Sequence, residues 1–395
     1  MMGRVARSGL AIIAAVGLSR CNSSTAPTTT DLLVVTPTTA TLQSGTQFQF
    51  FAVVVDSQGN PLPDAVRWSS SDPSIAKVDE NGLAAGVARG NTFLVARSQT
   101  LATLIPVGVY DRIGVTGRPF GIDVTTSGVV LVTRADFGSL GRIELPQLAL
   151  DDSITVGLQP TGLNIAPGGT TAYLTNQFSQ NVGVVDVATR SQTATIPVHG
   201  DPFVVLVSAN GTRVYATTGN TDSVFVIDPA SKAVIAAIAV PAAPNGLALH
   251  PTNPLLYVSA SFGAAVVEVN TATNTVRRTF SLPGSAPQGL VISPDGTQLY
   301  VADEAGRLLE LNVASGAVAW STVLPAGGFG VALAPDGASL YVTLPAAGKV
   351  VVVSRQGGAI LRTLDLGGAP RRIAFHAASG TAAVANESGS VDFLK

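Results

Sequence analysis

Among 395 residues there are one cysteine, two methionines and three histidines, which leaves little for metal or redox chemistry. With Cys21 alone, no intrachain disulfide can form. There is no Cys-x-x-Cys-His, and both methionines stand at the very start, so covalent haem and methionine ligation have no residues to use. Charge is also scarce. Charged side chains are 12% of the chain, the net charge is −2, and no basic run is longer than Arg371-Arg372. That is too little to track a phosphate backbone, so nucleic acid is not an expected partner. A Gly-x-Ser-x-Gly elbow is missing, and Gly327-Gly328-Phe329-Gly330 lacks the strand–loop–helix setting of a phosphate cradle. No metal and no cofactor are expected.

What is abundant is turn chemistry, with 41 glycines and 24 prolines, and it is periodic. Start points at Pro119, Pro160, Pro202, Pro244, Pro287, Gly328 and Pro370 are separated by 41, 42, 42, 43, 41 and 42 residues. A period of that length filled with short strands predicts a β-propeller with one blade per repeat. The fifth repeat divides into strand runs 289–293, 299–302, 307–312 and 318–324, the first two joined by the turn Pro294-Asp295-Gly296. The seventh repeat ends after its third strand, Ser390 to Leu394. The missing strand precedes Pro119, near residues 111–117. The expected fold is therefore all-β, with a seven-bladed propeller over 108–395 in three-plus-one closure.

Upstream, residues 31–107 read as about seven short strands separated by turns such as Asn81-Gly82, the pattern of a small β-sandwich. The stretch Val66-Arg67-Trp68-Ser69-Ser70-Ser71-Asp72-Pro73-Ser74-Ile75-Ala76-Lys77-Val78-Asp79-Glu80-Asn81-Gly82-Leu83 resembles the bacterial immunoglobulin-like domain of group 2. That resemblance implies a spacer or adhesive module of surface proteins, with Trp68 in the core. In the propeller, Tyr173-Leu174-Thr175-Asn176, Tyr215-Ala216-Thr217-Thr218, Tyr257-Val258-Ser259-Ala260, Tyr300-Val301-Ala302-Asp303 and Tyr341-Val342-Thr343-Leu344 resemble the YVTN-family repeat. Leu131 and Ala383 replace the tyrosine in the first and last repeats.

Residues 1–21 have the form of an export signal: Arg4 and Arg7, then the apolar run Leu10 to Leu18. Leu18-Ser19-Arg20-Cys21 resembles a bacterial lipobox, although Arg20 stands where that pattern has a small residue. It implies lipidation at Cys21, which would be the sole membrane contact. Residues 22–30 form a Ser/Thr/Pro tether. The expected location is the bacterial cell envelope, periplasm or surface.

Propeller ligands usually meet the face formed by loops entering the first strands and loops joining second to third strands, called here the top. The residues after each start point are expected to face the central opening: Phe120, Thr161, Phe203, Asn245, Gln288, Phe329 and Arg371. Two readings stand for them. They form a recognition rim for a protein, glycan or small ligand, or the aromatics plug the funnel. Catalysis would have to use His199, Asp201, Glu304 or Glu387, His199 with Asp201 orienting a proton transfer. Lactonase- or lyase-like chemistry at the funnel is thus the alternative to a non-catalytic binding or scaffold protein. Asp186, Asp228, Asn270 and Asn312 recur at third-strand ends and read as turn caps. The anchor is directly testable: Cys21→Ala is expected to move the protein out of the membrane fraction, and unchanged fractionation would refute it.

Overall fold

The computed structural model describes residues 31–395. Cys21, the export segment and the tether lie outside the described residues. Among those described there is no α-helix, only strands and two single-turn 3-10 segments, Ala135–Phe137 and Pro345–Ala347.

The sandwich packs Phe50, Leu94, Ile105 and Val107 into its core, with Trp68 against them. The Asn81-Gly82 turn needs glycine twice over: φ at Gly82 is +83°, and a Cβ there would lie 3.0 Å from the Trp68 ring.

Seven sheets follow. Blades 1 to 6 are four-stranded, built outward from inner strands Pro119–Val124, Pro160–Ile165, Pro202–Val207, Pro244–Leu249, Pro287–Ile292 and Val331–Leu333. Blade 7 has Pro370–His376, Thr381–Asn386 and Ser390–Leu394, and its outermost strand is Ala102–Gly114 from the other end of the propeller. This is the expected three-plus-one closure.

The hub explains the repeated residues. A bulge at the head of the inner strand sets its backbone toward the axis. The bulge amides of Gly121, Gly162, Val204, Gly246 and Gly330 donate to the hydroxyls of Thr133, Thr175, Thr217, Ser259 and Thr343 at 2.7–3.1 Å. The same hydroxyl reaches the inner carbonyl of the next blade, as Thr175 does to Phe203 O (2.9 Å) and Thr343 to Arg371 O (2.6 Å). The threonine or serine of four tetrapeptides is thus an inter-blade joint, and Thr133 does the same work in blade 1. Glycine is required beside it. A Cβ on Gly121, Gly162, Gly246, Gly289 or Gly330 would come within 2.1–2.6 Å of a carbonyl oxygen of the following blade. The tetrapeptide tyrosines fill the seams; Tyr173 packs with blade 3 residues and Tyr257 with blade 5 residues.

Strand Ala102–Gly114 belongs to both domains. Residues 102–109 pair with Gly90–Arg97 of the sandwich, and 111–114 pair with blade 7 from Phe393 back to Ser390. The boundary expected between residues 107 and 108 falls in the middle of this one continuous strand. Its direction carries the sandwich past the end of blade 7 opposite the 386–390 loop. Tyr110 packs into the seam of blades 6 and 7 with Tyr341, Leu364 and Leu394. Arg112 holds the fully buried Asp392 in a bidentate pair, Nε–Oδ1 2.5 Å and Nη2–Oδ2 2.8 Å, and also donates to Leu366 O at 2.6 Å. From the sandwich, Asn91 donates to Lys395 O (2.6 Å), and Thr41 Oγ1 accepts from Asp365 N (3.0 Å).

Removing Arg112 strands a buried carboxylate. Arg112→Met is expected to lower stability by about 3 kcal/mol in urea unfolding, and adding Asp392→Leu to recover part of it. A loss below about 1 kcal/mol would show that ring closure does not depend on this pair.

Candidate binding face of the propeller

The seven residues expected at the central opening do not line the central cavity of about 130 Å³, whose wall is made by the residues that follow them, Gly121, Gly162, Val204, Gly246, Gly289, Gly330 and Arg372 among others; they contact one another beside it. They do not form an open rim. The Phe120 ring lies edge-on to Phe203 (5.5 Å) and to Phe329 (5.7 Å), bridging blades 1, 3 and 6. Phe120 is buried and the other two half-buried. Arg371 lies over Phe120 (5.6 Å) and Phe329 (5.1 Å). Thr161 is buried and donates to Phe203 O at 3.1 Å.

The polar members form two chains. In the first, Arg372 Nη2 donates to Asn245 Oδ1 (2.7 Å), Asn245 Nδ2 donates to Gln288 Oε1, and Gln288 Nε2 donates to Glu304 Oε2 (2.6 Å). The anionic end fixes both amide orientations, since a carboxylate accepts only. In the second, Glu387 accepts from Arg371 Nε (2.5 Å) and pairs with Arg118 (3.3 Å), which also pairs with Asp136 (3.3 Å).

The remaining catalytic candidates separate. His199 is exposed, while Asp201 accepts from Gln180 Nε2 and Asn220 Nδ2, which tie two loops together. No hydrogen bond joins His199 to Asp201 among the described residues. His250 and His376 hold their own turns, through Asn253 and Ser379. Asp186, Asp228, Asn270 and Asn312 cap turns as expected, for example Thr189 N to Asp186 Oδ1 at 2.7 Å. Among the described residues no three His, Cys, Asp or Glu side chains are placed to hold a metal ion.

Sequence reasoning missed Arg372, noted only as half of a basic pair. The signal was available: it occupies the bulge position where five repeats have glycine. Its guanidinium lies 4.9 Å from the Phe329 ring and 5.9 Å from Phe203. Burial, then the neighbouring Arg371, lowers its pKa to about 10. The outstanding apolar exposure lies further out on the top face. Phe137, Phe178 and Phe262, on loops joining second to third strands of blades 1, 2 and 4, are 56%, 68% and 87% exposed.

Residues 31–100 match the bacterial Ig-like domain (group 2) family, domains of which occur in bacterial surface and exported proteins. A 68-residue stretch is 40% identical to Ice-binding protein 1 of Shewanella frigidimarina, spanning 17% of this chain and 8% of that protein. The chain therefore covers a small fraction of that relative's length. The fold is similar to hydrazine synthase of Kuenenia stuttgartiensis, with a TM-score of 0.66 and 18% identity over 71% of this chain and 96% of that one. At that identity the likeness is one of fold. Among the described residues no helix is long and apolar enough to cross a membrane.

The two members of the His199–Asp201 pair are expected to behave differently. His199→Ala should leave the melting curve within about 0.5 kcal/mol of the parent. Asp201→Ala, which unpairs Gln180 and Asn220, should cost about 1–2 kcal/mol. Equal effects would show that the two residues act as a unit.

Proposed function

We propose that this chain is a non-catalytic binding protein of the bacterial envelope. The export signal and Cys21 lipid would place it there, the sandwich would act as spacer, and the top of a YVTN-type propeller would engage a protein or glycan. The observation that carries this reading is the set of exposed phenylalanines, Phe137, Phe178 and Phe262, standing around a packed mouth. Aromatic side chains left in water beside polar groups are the usual material of recognition surfaces. Phe120, Phe203, Phe329, Thr161 and the Arg371–Glu387 pair form a stiff floor beneath them. The carboxylates of Asp201, Glu304 and Glu387 are engaged by amide or guanidinium donors, which favours a structural role over acid–base work. The shared strand directs the sandwich away from the top loops, so a spacer role leaves that face presented outward.

Cross-linking on whole cells tests the reading. Replacing Phe137, Phe178 and Phe262 together by Ser is expected to leave folding intact and weaken partner capture by roughly 30-fold, the loss of about 2 kcal/mol typical of an aromatic hot spot. Capture at parental levels would overturn the assignment.

A further inference from the structure

We propose that Arg372 makes the central channel an anion site, whose ligand is a small monovalent oxyanion of the carboxylate class. Arg372 reaches from blade 7 across the axis to Asn245 of blade 4, and its guanidinium borders the cavity of about 130 Å³. A guanidinium carries five N–H donors. Among the described residues Arg372 has one hydrogen bond, to the neutral amide of Asn245, and no carboxylate pairs with it. The contrast with its neighbour is direct, since Arg371 is neutralised by Glu387.

A desolvated charge is costly unless it is paired and hydrogen-bonded. Stacking on Phe203 and Phe329 offsets part of that cost but supplies no acceptor. The channel supplies the room. Glycines at 121, 162, 246, 289 and 330 strip its wall of side chains at the level of the bulges, leaving Arg372 the charged residue lining it. The geometry is also pre-set. Glu304 orients Gln288, Gln288 orients Asn245, and Asn245 turns its oxygen to Arg372, so the fork is held before any ligand arrives. These three are positioning residues. One uncompensated positive charge calls for one negative charge, and the planar fork matches a carboxylate through two parallel hydrogen bonds. A phosphate dianion would exchange an unpaired cation for an unpaired negative charge.

The site shares residues with the mouth but does not depend on the identity of any macromolecular partner, and the two readings fail separately. Capture lost in the phenylalanine variant with anion binding retained would leave this inference standing, and the converse would leave the partner reading standing.

The test is thermal melting of the full chain titrated with sodium acetate at fixed ionic strength, with sodium chloride and sodium phosphate in parallel. The expected result is a saturable rise in Tm with acetate that chloride does not reproduce. It should vanish in Arg372→Met, whose own Tm without acetate should equal or exceed the parent's, because a half-buried charge with one neutral hydrogen-bond partner has gone. Arg372→Lys keeps the charge and loses the fork, so it should fold even where the methionine variant does not and bind acetate about tenfold more weakly. Glu304→Gln should weaken acetate binding with little change in the unliganded Tm. A Tm unmoved by acetate, a rise equalled by chloride, or one preserved in both Arg372 variants would overturn the site. Tighter saturation by phosphate than by acetate would overturn the carboxylate assignment.

Discussion

The propeller depends on one repeated joint at its hub: a side-chain hydroxyl that accepts a bulge amide of its own blade and donates to an inner carbonyl of the next. Thr133, Thr175, Thr217, Ser259 and Thr343 make it, each beside a bulge position that is glycine in four of the five blades. Inner-strand heads cannot pair with one another as a sheet does, so their polar groups need another partner. A hydroxyl both accepts and donates and therefore serves two blades at once. Where Ala302 replaces it, in blade 5, Gly289 N bonds directly to Phe329 O at 2.8 Å. Ala385 replaces it in blade 7, and there Arg372 stands in place of the glycine.

Much of this was legible in the sequence because it is periodic. Blade number, strand order and the three-plus-one closure follow from start points about 42 residues apart and from one strand missing at the end. The reason for the threonine in the tetrapeptide was not legible. Its partner lies one blade away, and that contact exists only once the ring is shut. The extent of strand Ala102–Gly114 was hidden for a related reason. Domain boundaries are sought where patterning breaks, and Pro106 and Gly108 read as such a break, yet the strand runs through both.

The site was legible by address and not by packing. Periodicity brought Phe120, Phe203, Phe329 and Arg371 to one place, but the width of the channel decides whether aromatics there project or interlock, and width is a property of blade count and glycine content together. Arg372 stands one residue past the position that strict alternation assigns to the opening. The bulge turns two successive residues toward the axis region, so a strict alternation of inward and outward side chains fails there. Glu304 and Glu387 illustrate the same lesson for acid–base candidates: a carboxylate on a functional face is informative only once its donors are known.

The shared strand also has a mechanical meaning. Tension reaching the sandwich from the side of Leu32 would pass into the propeller along the axis of residues 102–114. The ladder bonds to blade 7 run perpendicular to that axis, so the load falls on the pairs from Gly114–Ser390 to Asp111–Phe393 together, in shear. The bidentate Arg112–Asp392 contact sits in the middle of that stretch and ties the loaded strand sideways into blade 7. The clasp that shuts the ring is therefore also the element that would bear a pull, and its Gly114 end lies beside the 386–390 loop of the top face.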